Sequence, residues 1–165
     1  MKQFFVILFL LSLLSSCATT GECQCKCRNL ENEPAVKEPT VSYIWPVKGI
    51  LTSKFGSRGE KQHKGIDIGS PEGTPVYAAA DGKVVLSNES GDYGLLIIIQ
   101  HPDNSFTVYA HNSKNLVKDG SSVKQGDMIA EVGQTGGATG PHLHFEIRIG
   151  AKPVDPLQYL PNQPE

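Results

Sequence analysis

The chain has no apolar run long enough to cross a bilayer, no excess of charge of either sign and no cysteine beyond Cys27. Its longest apolar stretch, residues 4–14 interrupted only by Ser12, would reach about 16 Å as a helix, well short of a bilayer core of roughly 30 Å. Fifteen Lys and Arg stand against 17 Asp and Glu, so there is no electrostatic footprint for nucleic acid. No G-x-S-x-G is present, and every Cys falls in the N-terminal tail, which leaves no Ser or Cys nucleophile constellation. No long amphipathic helix and no internal repeat at solenoid spacing can be read.

What is present divides into an address, a tether and a domain. Lys2 and the apolar run read as a secretory signal, and Leu14-Ser15-Ser16-Cys17 resembles the bacterial lipoprotein cleavage site, with Cys17 as the lipidated first residue after residues 1–16 are removed. Ala18 follows the Cys with no acidic retention signal, which points to the outer membrane, facing the periplasm. Cys23, Cys25 and Cys27 remain. Their spacing matches no usual zinc-ligand pattern, and an incidental cluster in a tether is favoured over a metal knot or an intermolecular disulfide. Residues 17–42 are polar and Pro-punctuated, as expected of a linker between the lipid anchor in the membrane and a folded part.

From Tyr43 to about residue 162, short β-type runs alternate with Gly- and Asp-rich turns, and almost all of the Gly lies in this part. Strands are expected at 50–53, 65–68, 76–79, 83–87, 95–101, 105–111, 128–132 and 142–149, giving a compact all-β antiparallel domain. The unbroken apolar run Leu95–Ile99 reads as a central strand covered on both faces.

Only five His occur: His63, His101, His111, His142 and His144. His142 and His144 lie in an alternating strand, so both side chains share one face about 6.6 Å apart, while Leu143, Phe145, Ile147 and Ile149 fill the other. That geometry suits one metal ligand and one neighbouring acid or base. His63 and Asp67 would be about 13 Å apart in a straight strand and could share an ion only if the chain bends, for which Gly65 gives freedom. His63 is then expected on a loop and Asp67 on a strand. Imidazole and carboxylate with one more His make three zinc ligands and leave the fourth position for water, the pattern of a catalytic centre. Tyr109, two residues before His111, is expected on the same strand face, where it would orient substrate. His101 reads as structural. The glycines from Gly133 to Gly140 suggest a close-fitting wall for an extended peptide.

Several segments together resemble the M23 zinc endopeptidases of the bacterial cell wall, of the LytM or lysostaphin type. They are Ser53-Lys54-Phe55-Gly56-Ser57-Arg58, His63-Lys64-Gly65-Ile66-Asp67-Ile68, Gly73-Thr74-Pro75-Val76-Tyr77, Tyr109-Ala110-His111, Gly133-Gln134-Thr135-Gly136 and Thr139-Gly140-Pro141-His142-Leu143-His144-Phe145-Glu146. The resemblance implies the duplicated-hybrid-motif-like β fold of that family and a Zn2+ held by His63, Asp67 and His144. It also implies His142 and His111 as catalytic histidines and peptidoglycan cross-bridges as substrate. A catalytically silent relative that activates other wall hydrolases is the alternative, and the intact residue set favours the enzyme. A protein activator of this domain remains allowed as a further partner.

Overall fold

The computed structural model describes residues 39–59 and 61–162. The apolar N-terminal run, Cys17, the Cys23, Cys25 and Cys27 cluster and nearly all of the expected tether lie outside the described residues.

The described chain is built of β-strands and two short 3-10 turns, Gly91–Tyr93 and Pro156–Gln158. In chain order the strands are β1 (Ile50–Ser53), β2 (Gly56–Arg58), β3 (Lys61–His63), β4 (Ile66–Gly69), β5 (Pro75–Tyr77), β6 (Gly82–Glu89), β7 (Leu95–Gln100), β8 (Ser105–Asn115), β9 (Ser122–Val123), β10 (Met128–Val132), β11 (His142–Ile149) and β12 (Lys152–Val154). Ten form one antiparallel sheet with the path β1-β4-β11-β8-β7-β6-β9; β10 joins β8 to β5, and β12 borders β11. β2 and β3 form a separate hairpin.

All eight expected strands are present within a residue or two at most ends. The pieces the sequence did not announce, β2, β3, β9 and β12, have two or three residues each. Such pieces are too short for a period-two pattern to stand out. β8 is the exception at its end, running four residues past His111 to Asn115.

Alternation in β11 sorts its side chains as anticipated. Leu143, Phe145 and Ile147 are fully buried in the main core with Ile66, Ile68, Val76, Ile97, Ile99 and Tyr109. β7 lies inside the sheet between β6 and β8. Its Ile97 and Ile99 enter this core, while Leu96 packs on the opposite face with Val108, Ala110 and Ile98. Burial on both faces is why the run lacks alternation.

Two details bear on the site. First, β8 changes partner along one edge. Ser105 to Ala110 pair with β11, and Asn112 to Asn115 pair with β10. The change falls at His111, where Ala110 and His111 together face the single residue Leu96 of β7 and His111 takes φ +64°. This is a β-bulge, which bends a strand and re-aims a side chain. Second, Gly65 does not take a left-handed conformation. A Cβ there would collide with the carbonyl oxygen of Phe145 and sit 2.9 Å from Glu146 Cγ. The expected reason for this glycine is therefore corrected: it permits close approach of the β3–β4 connection to β11, and backbone freedom is not what the position requires. His63 ends a short strand, where a loop was expected.

The N-terminal segment is tied to the far end of β8. Asp103, in the β7–β8 turn, accepts hydrogen bonds from the backbone N–H of Thr40 (2.8 Å) and Val41 (3.1 Å). Tyr43 and Ser105 hydroxyls meet at 2.6 Å beneath it. His101 is buried nearby with both ring nitrogens engaged, Nδ1 on the Asp81 carbonyl at 2.8 Å and Nε2 on Thr107 Oγ1 at 2.9 Å. It is structural, as expected.

Gly65→Ala should destabilise the domain by roughly 1–3 kcal/mol, the cost of overpacking a tight contact, read from the urea unfolding midpoint. Burial lowers the pKa of His101 below its ordinary value of 6.5, so the folded chain refuses a proton that the unfolded chain accepts. The resulting stability is complete above that ordinary value and is lost as pH falls below it. His101→Gln should flatten this part of the pH dependence, seen by comparing urea midpoints at about pH 7.5 and about pH 5.5.

Candidate metal centre

Asp67 of β4 and His144 of β11 are direct cross-strand partners. Directly opposed residues in an antiparallel pair project from the same face, so their side chains meet, His144 Nδ1 lying 2.8 Å from Asp67 Oδ1. The β2–β3 hairpin brings His63 over them from outside the large sheet. His63 Nε2 is 3.0 Å from Asp67 Oδ1 and 3.1 Å from His144 Nδ1. The structure thus gathers His63, Asp67 and His144 into one group whose ligand atoms face a common volume.

The far nitrogens of both rings are fixed by acceptors. His63 Nδ1 donates to the Lys54 carbonyl at 2.8 Å. His144 Nε2 donates to Glu146 Oε1 at 3.1 Å. With those nitrogens carrying the proton, each ring in its singly protonated form turns a lone pair toward the other beside a carboxylate oxygen. Three electron-rich atoms so placed repel unless a cation or protons lie between them. A tetrahedral ion with bonds of about 2.0–2.1 Å sets its ligand atoms about 3.3 Å apart, close to the spacing found. The residues present therefore fit a zinc-sized ion.

Arg58 and Glu146 complete the surroundings, and sequence reading gave neither a role. Arg58 Nη2 donates to Asp67 Oδ2 at 2.7 Å and contacts Ser53 Oγ, leaving Oδ1 to face the two histidines. Glu146 is wholly buried. It accepts from His144, from the Tyr93 hydroxyl at 2.7 Å and from Arg148 Nε at 2.6 Å. Burial favours protonation of both carboxyls. The hydrogen bond from Arg58 and the close approach of His144 and His63 override it at Asp67 and hold that group well below the usual carboxylate range. Hydrogen bonds from His144 and Tyr93, with the charge of Arg148, do the same at Glu146. Tyr93 is pushed up to about 12, by burial and by its bond to Glu146. The position of Glu146 was readable: it is two residues past His144 and shares its face. Arg58 carried only a motif match.

His111 and His142 stand beside the group, their ring centroids 4.8 Å apart. His142 Nε2 is 3.8 Å from Asp67 Oδ1. Each donates Nδ1–H to a carbonyl, His111 to Thr135 at 2.9 Å and His142 to Gly140 at 2.8 Å. A carbonyl only accepts, so in the neutral ring Nε2 is the free base. Burial lowers the pKa of His111, which keeps it neutral near pH 7. Thr135 also bridges strands, its Oγ1 accepting from Leu95 N–H at 3.0 Å and donating to the Asn112 carbonyl at 2.8 Å. Tyr109 is not at the site. It is fully buried, its hydroxyl bonded to Ala79 N–H and Thr107 Oγ1 and its ring packed on Phe145. The bulge at His111 breaks the alternation, so residues 109 and 111 do not share a face.

These side chains form the floor of an open groove of about 670 Å³. Arg58, Lys61 and Gln62 of the β2–β3 hairpin, with Lys64, make one wall; Asp92, Tyr93 and Gly137, Ala138 and Thr139 make the other.

A profile of Peptidase family M23 matches residues 61–156, and the chain belongs to that family. Among curated relatives, an uncharacterized lipoprotein of Escherichia coli K12, YgeR, is 47% identical over 122 residues, covering 73% of this chain and 48% of the relative. The murein hydrolase activator NlpD of the same organism is 44% identical over 126 residues, covering 76% of this chain and 33% of the relative. The chain spans less than half of the length of these relatives. Among solved structures, a zinc-containing peptidase from Vibrio cholerae is 38% identical with a TM-score of 0.65, covering 69% of this chain and 39% of that one. The catalytic domain of the antimicrobial peptidase lysostaphin from Staphylococcus simulans is 32% identical with a TM-score of 0.64, covering 68% and 91%. The all-β antiparallel architecture is that of the family's peptidase domains.

Glu146→Ala removes the partner of three groups at once. It should cost roughly 2–4 kcal/mol, the loss for breaking a buried pair reduced for the partial exposure of Arg148. Glu146→Gln should cost less, because one acceptor oxygen and the side-chain shape remain. Urea unfolding of both variants measures the difference.

Proposed function

We propose that the domain is a zinc-dependent endopeptidase that hydrolyses peptide cross-bridges of peptidoglycan. The observation that carries this is the convergence of three committed lone-pair donors, His63 Nε2, Asp67 Oδ1 and His144 Nδ1, with the free Nε2 atoms of two further histidines beside them. A structural zinc site needs no such neighbours, whereas a hydrolase needs groups that accept and return a proton.

His63, Asp67 and His144 would hold zinc, whose Lewis acidity polarises a peptide carbonyl and acidifies water. Arg58, bonded to Asp67 Oδ2, would leave Oδ1 for the ion, and Glu146 holds the His144 ring with Nδ1 forward. His142 or His111, each with Nδ1–H anchored, accepts a proton from the attacking water at Nε2 and delivers it to the departing amine. The other can donate to the developing oxyanion only with a separate proton of its own on Nε2, as an imidazolium. The open groove leaves both ends free for an extended peptide within a larger network.

The proposed organisation is a signal peptide at residues 1–16, lipidated Cys17 and a tether to residue 42, and the peptidase domain over 43–162. The relatives named as lipoproteins support an anchored cell-envelope protein, and the residue after Cys17 points to the outer membrane, facing the periplasm. A second reading is a regulator that switches on other wall hydrolases, supported by the relatives named as murein hydrolase activators. The complete histidine set here favours the enzyme.

Purified full-length protein incubated with peptidoglycan should release new peptide ends visible by mass spectrometry. A chelator should stop the release and added zinc restore it. His144→Ala should lose both zinc and cleavage, while His142→Ala should keep zinc and lose roughly 100- to 10,000-fold in rate. A wild-type protein that holds zinc but cuts nothing would make the regulator the better reading.

A further inference from the structure

The groove is strongly cationic on one wall in a chain whose formal charge is −2. Lys61 and Lys64 bracket His63 in sequence, and both line the groove with Arg58. Lys61 lies two residues before His63 on β3 and so projects from the same strand face. Both lysines are exposed, and neither pairs with a carboxylate among the described residues. In the β2–β3 hairpin Arg58 is the direct cross-strand partner of Lys61. Like charges directly opposite each other destabilise a strand pair. Arg58 is already committed to Asp67, so Lys61 is left without a paired carboxylate among the described residues at the groove edge, and Lys64 adds a second such cation. The opposite wall offers one acid, Asp92.

An arrangement that costs local stability without a ligand is relieved by an anion between the lysines and the floor. The floor itself does not supply one: the single negative charge of Asp67 is met by Arg58, and a divalent cation there would make the groove more positive still. We infer that Lys61 and Lys64 are specificity determinants that select cross-bridges carrying a free carboxylate beside the scissile bond, over the same peptide with that carboxylate amidated or absent. The inference rests on the endopeptidase reading for its substrate, but the recognition step is separable from cleavage. Lysine is suited to this task because a flexible ammonium can follow a peptide carboxylate without the fixed fork geometry that guanidinium imposes. Cation steering would also concentrate acidic peptide at the groove, an effect that salt screens over about 10 Å at 0.1 M.

The test uses two synthetic cross-linked peptides identical except for one carboxylate or carboxamide on the residue next to the scissile bond. Their binding to zinc-loaded full-length protein is read by fluorescence polarisation at low and high salt, and cleavage is followed in parallel. The acid peptide should bind roughly five- to tenfold more tightly, a ratio set by two exposed ion pairs. That preference should shrink at high salt and fall to near one in Lys61→Gln/Lys64→Gln. Circular dichroism checks that the double variant is folded; a single Lys64→Gln variant, outside the hairpin strands, should lose part of the preference. Equal binding of the two peptides by the wild type, no measurable binding of the acid peptide, or a preference that survives in the double variant would overturn the inference. Preferential binding without cleavage would leave it standing and remove the endopeptidase reading instead.

Discussion

The site depends on one strand, β11, paired with β4 on one side and β8 on the other. Because Asp67, His144 and Ala110 lie in register across three adjacent strands, the positions of Asp67 and His144 are fixed by the main-chain ladder before either side chain chooses a rotamer. The same strand buries Leu143, Phe145 and Ile147 on its other face. Sliding β11 by one residue would move its histidines into the core and its apolar side chains to the groove. Hydrophobic burial over the whole sheet therefore opposes a register error that would displace His144 from Asp67 by a few ångströms.

The second constraint is the partner change in β8. A strand that must serve β11 and then β10 along one edge needs an irregular residue between, and the bulge at His111 supplies it. A non-glycine residue at φ +64° is held there at some cost, and the return is an imidazole aimed at the fork where the β10–β11 connection leaves. Thr135 in that connection then fixes the ring. Gly94 and Gly136 approach so closely that a Cβ on either would strike the backbone of the other loop, which is how two connections form one wall.

Much of this was legible in the chain alone, for identifiable reasons. Period-two alternation located β11 and its two-faced character, and an unbroken apolar run located β7. The few histidines made their grouping visible. Three features were not legible. Gly65 looked like a hinge because sequence shows that a Cβ is missing without showing what would have occupied its place. Tyr109 was misplaced because a bulge shifts the phase of alternation without leaving a mark in residue types. The roles of Arg58 and Glu146 depend on long-range contacts, with Asp67 nine residues away and with Tyr93 on another loop, and no local pattern encodes them.

The attachment of residues 40 and 41 to Asp103 has a mechanical meaning. Ser105 opens β8 just after Asp103 and precedes His111 by six positions, about 20 Å of extended strand. Force applied through the N-terminal end would reach the β7–β8 turn first, where two backbone hydrogen bonds to one carboxylate and the buried Tyr43 take the load. From there it would spread along strands bonded side by side, and the groove lies at the other end of that path. The domain is thus gripped at its heel: tension on the chain before Thr40 would peel residues 40–43 away while the histidines keep their places.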